Sequence, residues 1–233
     1  MEWMVTKFES IARLIDESRV ITVNEKSFAR GLNVYKQMLI FIIGSFLGFA
    51  LEMIWFIVKY GQVIERKGVF YGPYSPIYGV GMLMLTLLLH RLINKNPLYI
   101  MTVSAILGGA FEIICSVAQE LVFGTRSWDY SGTFLSIDGR TNFLMMVMWG
   151  ILGYVFICIL YPIINRLIER IPNKFGKIAT IVLMICLVVD IGITALAVRR
   201  HNERIRGAEP RNRVEEFLDE KYPSEYVDAF LQE

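Results

Sequence analysis

Two glutamates sit where a carboxylate is expensive. Glu52 lies in "LGFALEMI" (Leu47 to Ile54) and Glu112 in "LGGAFEII" (Leu107 to Ile114), both inside long apolar runs. An ionised side chain at mid-bilayer costs about 2.5–3.5 kcal/mol on insertion scales. Counted from the following loops at about 1.5 Å per residue, Glu52 is roughly 10 Å deep and Glu112 roughly 15 Å. Two carboxylates brought together in low dielectric would not both ionise. They would share a proton, bind a cation or pair with arginine. Arg66 and Arg126, in the loops that follow, are the nearest arginines on that side. The simpler reading is a protonated glutamate that makes one interhelical hydrogen bond.

The two segments read as copies of each other. Leu, Gly, Ala, Glu and Ile recur at matching positions, and upstream Gly44-Gly48-Glu52 matches Ser104-Gly108-Glu112. Residues four apart share one helix face. Small residues on that face let a second membrane helix approach closely. Both copies run into a loop rich in Gly and Tyr, and then into another apolar run. The pattern predicts a two-span unit present twice, followed by a fifth span. A unit with an even number of spans repeats in the same orientation, which implies a pseudo-two-fold axis along the membrane normal. Such an axis would set the first span against the third and bring Glu52 toward Glu112. Cysteines placed at Gly48 and Gly108 would then crosslink.

The elements that carry these residues follow from hydropathy. The chain has 233 residues, 55% of them hydrophobic, and a mean hydropathy of +0.47. A span needs about 20 mostly apolar residues. Five blocks qualify or nearly do: 37–59, 76–93, 97–122, 143–165 and 177–198. The second is the shortest. Long continuous apolar runs exclude strands, so the fold class is all-α, a polytopic transmembrane helical bundle of about five spans. The chain divides into an amphipathic segment (1–36), the bundle (37–199) and a charged tail (200–233). Met4, Phe8, Ile11 and Ile15 recur at helical spacing, as in a helix on the membrane surface or against the bundle. The tail reads as one or two short amphipathic helices broken at Pro223. Basic residues divide evenly between the two sides, so the positive-inside rule leaves the orientation open.

Two loops on the same side carry further chemistry. In "YGPYSPIYG", Gly72 permits positive φ, while Pro73 and Pro76 fix φ and remove amide donors. Tyr71 and Tyr78 suit the membrane interface, and Gly79 opens the next span. In "WDYSG", Trp128 and Tyr130 flank Asp129, which either caps a turn or pairs with Arg126. Asp138, Arg140 and Asn142 stand at the mouth of the fourth span, where a helix N-terminus favours anions. Asp190, in the otherwise apolar "LVVDIG", either joins the glutamates or bonds a neighbouring helix.

Several classes are excluded. A formal net charge of +2 without a basic-aromatic constellation argues against nucleic acid. There is no P-loop, no His/Cys cluster for zinc and no G-x-S-x-G elbow. The expectation is therefore no cofactor, no metal, no catalytic residue and no enzymatic activity.

The order "LEMIW", "KGVFYGPYSPIYGVG", "FEII" and "WDYSG…GRTNFLMMVMWGILG" resembles the bacterial family described as "putative ABC-transporter type IV", which carries a CmpB-like label. The resemblance covers about residues 36–166. It implies a multi-pass cell-membrane protein of the transporter-permease type, with the bilayer as its environment and a separate ATPase subunit or a second copy of the chain as partner.

The leading reading is a membrane protein that moves or binds a small solute or ion. Glu52 and Glu112 would carry the proton or cation. Arg66, Arg126, Asp129, Arg140 and Asn142 would gate or attract, framed by Tyr71, Gly72, Pro73, Pro76, Tyr78, Gly79, Trp128 and Tyr130. Two rivals stand beside it. One is an accessory protein whose glutamates only pin helices, and the other is an enzyme acting on lipid headgroups.

Overall fold

The computed structural model describes residues 26–63, 67–123, 126 and 128–232. The amphipathic stretch of residues 1–20 and Arg66 lie outside the described residues.

Every regular element among them is helical. Helix α1 spans Val34–Tyr60, and α2 spans Pro76–Leu89 and tightens into a 3-10 turn at His90–Leu92. Helix α3 spans Pro97–Phe123. Helix α4 (Phe143–Val155) passes through a π-turn (Phe156–Leu160) into α5 (Tyr161–Glu169). Helix α6 spans Asn173–Ile205, and the tail forms α7 (Arg213–Lys221) and α8 (Ser224–Gln232), separated at Pro223. Pro76 and Pro97 open their helices at the position where a missing amide costs nothing. Pro162 falls just after the π-turn, which absorbs the amide that proline removes.

Four helical runs are long and apolar enough to cross a membrane: α1, α3, α4–α5 and α6. Helix α2 is apolar but has 14 residues. That is about 21 Å of helix against a hydrocarbon core of about 30 Å. The expected five spans are thus four of full length and one short helix.

The chain forms two compact units. Among the described residues, one comprises 26–37, 83–117, 126 and 128–178, and the other 38–63, 67–82, 118–123 and 179–232. Each holds one helix hairpin, and the hairpins match contact for contact. In the second unit, α1 lies so close to α2 that a Cβ at Gly79 would come 2.5 Å from the Phe41 carbonyl and overlap Ser45. In the first, a Cβ at Gly150 of α4 would come 2.8 Å from the Met101 carbonyl and 3.5 Å from Ala105 on α3. Phe41 and Met101, and Ser45 and Ala105, are equivalent positions of the sequence repeat. Gly48 packs under Tyr78, and Gly108 packs under Trp149 in the same way.

Each small-residue face is covered within its own hairpin. Gly48 is taken by Tyr78 and Gly108 by Trp149, each from the next helix of its own hairpin. A cysteine at either glycine would have to displace that ring before it could crosslink to anything.

Candidate functional site: two glutamates beside aromatic side chains

The repeat extends from packing to polar chemistry. In the second unit, the hydroxyl of Tyr78 donates to Glu52 Oε1 at 2.8 Å. In the first, the Trp149 ring packs on Gly108, one turn from Glu112, and meets Phe111 edge-on, with the indole beside the Glu112 carboxylate. In both hairpins, the aromatic residue seated on the glycine reaches up one turn to the glutamate four residues on. A glycine is needed there because the stem of the ring occupies the place of a Cβ.

The two glutamates then differ. Glu52 is partly exposed, whereas Glu112 is buried with 9% of its surface accessible. Glu112 also accepts a hydrogen bond of 2.6 Å from the Thr141 hydroxyl and interacts with the phenol of Tyr130. Burial, and then the charge of Glu112, push the Tyr130 phenol above its ordinary range. Among the described residues, the hydrogen bond to Glu112 thus comes from a neutral donor, the Thr141 hydroxyl, with Tyr130 and Trp149 beside it.

The loop between α3 and α4 holds Thr141 and Tyr130 in place. Gly139, at φ +68°, brings its carbonyl to the Tyr130 amide at 2.7 Å. A Cβ on Gly139 would overlap Asp129. Asp129 accepts the Ser131 amide at 2.8 Å. The Ser131 hydroxyl and amide hold its carboxyl below the usual range. Of the two roles expected for Asp129, the turn is the one it fills through a hydrogen bond. Asn142 caps α4 by accepting the Met145 amide at 2.8 Å, and its own amide donates to Thr133 at 2.8 Å.

Arg126 and Arg140 both bond Asp138. Arg126 bonds the Asp138 carbonyl at 3.2 Å. Arg140 is buried, with its Nε on Asp138 at 2.8 Å and Nη1 on Ser116 at 3.0 Å, one turn of α3 from Glu112. Trp128 donates its indole N–H to the Arg140 carbonyl at 2.9 Å. Of the arginines offered as partners for the glutamates, Arg126 bonds Asp138 and Arg66 lies outside the described residues.

Asp190 is committed to backbone. It accepts the amides of Tyr71 (3.2 Å) and Gly72 (3.1 Å), while Thr194, one turn along α6, accepts the Phe70 amide at 3.0 Å. Pro73 has no amide to satisfy. This docks the "YGPYSP" segment onto α6 about 14 Å, nine residues, below Arg199. Backbone at that depth needs internal partners, and Asp190 and Thr194 supply them. Glu52 with Tyr78, and Asp190 with Tyr71 and Gly72, are two separate hydrogen-bonded groups of this unit. Pro76 and Gly79 belong to the hairpin contact.

The tail closes over this loop. Phe70 stacks on Tyr222 with ring centroids 5.2 Å apart and meets Tyr226 and Phe230 edge-on. The hydroxyls of Tyr71 and Tyr222 lie 2.6 Å apart. Arg200 and Arg204 clamp Asp219 at 2.8 and 2.5 Å, and the buried His201 meets Asp228 at 3.0 Å. Sequence reasoning singled out neither Thr141, Thr194 and Tyr222 nor the role of Trp149. Each is defined by a partner far away in the chain.

No curated protein and no solved structure matches the chain at a significant level. A family model described as "Putative ABC-transporter type IV" matches residues 39–195. The match runs past the expected limit at residue 166 and takes in α6 with Asp190 and Thr194. Together with four helices able to cross a membrane, it marks an integral membrane protein of transporter-like type. Because the match covers most of the chain, from α1 through the docking face of α6, this protein belongs to the Putative ABC-transporter type IV family.

Proposed function

We propose that the chain is the membrane component of a transporter that binds and passes a small solute or ion at the buried carboxylate of Glu112, with Glu52 as its duplicate. The observation that carries the reading is the repeated constellation: glycine, an aromatic ring from the next helix, and a glutamate one turn on. Plain helix packing needs the glycine and the ring. It does not need an ionisable group in both copies, at the cost that burial of a charge entails.

The donors suit a reversible site. A hydroxyl can donate or accept. Thr141 donates to the ionised carboxylate, and its oxygen can turn toward a cation or accept from a protonated Glu112. The Tyr130 phenol and the Trp149 indole lie beside the carboxylate. Arg126 and Arg140, with Asp129 and Asn142, shape the loop above and bias which charges approach. An ATP-hydrolysing subunit or a second copy of the chain is the partner this reading implies, and the chain itself carries out no catalysis.

Uptake of protons, sodium or potassium into vesicles containing the purified protein, driven by a membrane potential, tests the reading. The double variant Glu52→Gln plus Glu112→Gln should lose uptake while remaining folded. Wild-type uptake in that variant would favour the accessory role. One observation already speaks for that rival: each glutamate's aromatic partner belongs to its own hairpin, so the contacts could serve to pin helices alone.

A further inference from the structure

A second polar cluster lies at the opposite end of the α4–α5 run from Glu112. That run, Phe143–Glu169, has 27 residues, about 40 Å of helix. Tyr161, Asn165 and Glu169 recur every four residues and so share one face of α5. They are 3%, 2% and 8% exposed, and the lysine they face, Lys36 at the start of α1, is 1% exposed. The Lys36 ammonium donates to the Asn165 side-chain oxygen and to Glu169 Oε1, the latter at 2.6 Å. Tyr161 feels the charge of Glu169.

The amide of Asn165 has one acceptable orientation, because its oxygen is committed to an ammonium. Its Nδ2 is then buried with no hydrogen-bond partner among the described residues. A buried donor of this kind calls for an acceptor, and a water oxygen is the one that fits between polar side chains. The segment of residues 26–33 leads directly into the cluster. Asn33 caps the turn that carries Lys36, accepting its amide at 3.0 Å. Asn173 ties the segment to α6 by accepting the Phe28 amide at 2.7 Å and donating to the Lys26 carbonyl at 2.8 Å. The Phe28 ring fills the place that a side chain at Gly176 would need.

We propose that Tyr161, Asn165, Glu169 and Lys36 form a second proton-exchange site, with Glu169 taking the proton and a water held by Asn165 Nδ2 delivering it. In the step, the water arrives as hydronium, an O–H bond forms on the Glu169 carboxylate, and neutral water is left. The attraction of Lys36 to Glu169 falls when the carboxylate is neutral, and Lys36 keeps its bond to the Asn165 oxygen. Lys36 from α1 and Tyr161 from the same helical run face Glu169. Lys26 and Arg30 in the segment, and Lys174 and Lys177 at the start of α6, are the other charges of the neighbouring elements. The inference rests on the proposed carboxylate transport and names the proton as the species carried.

The test uses the full chain in vesicles loaded with a pH-sensitive dye, with a potassium gradient and valinomycin supplying the potential. Wild-type protein should take up protons. Glu169→Gln and Asn165→Leu should fall to the leak of protein-free vesicles. Infrared spectra across a pH titration should show a carboxylic C=O band that Glu169→Gln removes. A Lys36→Met plus Glu169→Met pair guards against misfolding, since an apolar pair often replaces a buried ion pair without loss of stability. This pair should stay folded and inactive. If Glu169→Gln and the Met pair keep the wild-type rate while Glu112→Gln loses it, the second site is structural and the Glu112 reading stands. If wild-type protein moves sodium or potassium but no protons, the proton assignment and this site both fall. If it moves none of the three, the transport reading falls with them.

Discussion

Adding one methyl group at Gly108 should destabilise the protein out of proportion to its size. A Cβ there would overlap the Cβ, Cγ and Cδ2 atoms of Trp149. These atoms form the stem of the side chain and cannot swing aside as a flexible tip would. Either α4 backs away from α3 or the indole leaves its rotamer. Overpacking of this kind costs about 1–3 kcal/mol. Gly108→Ala should therefore cost about 1–3 kcal/mol. At about 2–4 °C per kcal/mol for a chain of this size, melting should fall by roughly 2–12 °C. Gly48→Ala, under Tyr78, should behave alike. Gly192 is the control: it is helical, and a Cβ there meets nothing within 4 Å. Gly192→Ala should be neutral or stabilise by up to about 1 kcal/mol. Thermal unfolding in one detergent, followed by near-UV circular dichroism, compares all three. If Gly108→Ala and Gly48→Ala melt with Gly192→Ala, the close hairpin contacts are wrong, and the aromatic contacts with the glutamates go with them.

Three further outcomes follow from the loop and the tail. Asp190→Ala should orphan the amides of Tyr71 and Gly72 at about 1–3 kcal/mol each, seen as faster hydrogen exchange at residues 70–72. Asp219 is held below the ordinary carboxylate range by its bonds to Arg200 and then Arg204. Its contribution to tail docking is therefore complete above the unfolded value of about 3.9 and lost as pH falls through its lower folded value. Protease resistance of α7–α8 should follow that course, and Asp219→Asn should lack it from the start. Burial, together with the Tyr71 hydroxyl, pushes the Tyr222 phenol up to about 12. Alkaline titration of tyrosine absorbance should show the late-ionising amplitude fall by one group in Tyr222→Phe.

Much of the architecture is legible in the sequence because hydropathy and small-residue spacing are local signals. The glutamates, the duplicated hairpin and the break at Pro223 all come from neighbours in the chain. The partners do not. Spacing marks the Gly48 and Gly108 faces for close contact but is silent on which helix makes it, and the contact falls within each hairpin. Asp190 stands out as a charge in an apolar run, yet its partners are backbone amides 118 and 119 residues away, and amides carry no sequence signature. Lys36 and Glu169 are separated by 133 residues and read as ordinary charges at span ends. The Tyr161, Asn165 and Glu169 stripe was the available signal, since three polar residues on one face of an apolar helix need something to face.

Potential-driven uptake by Glu112→Gln, set against Trp149→Phe, tests the central claim most directly. The first removes the titratable oxygen and keeps the size of the side chain. The second keeps the packing on Gly108 and removes the indole donor. The account predicts loss of uptake in Glu112→Gln with its melting temperature little changed, and reduced uptake in Trp149→Phe. Wild-type uptake in folded Glu112→Gln would contradict it and leave the buried carboxylate as a pin between α3 and α4.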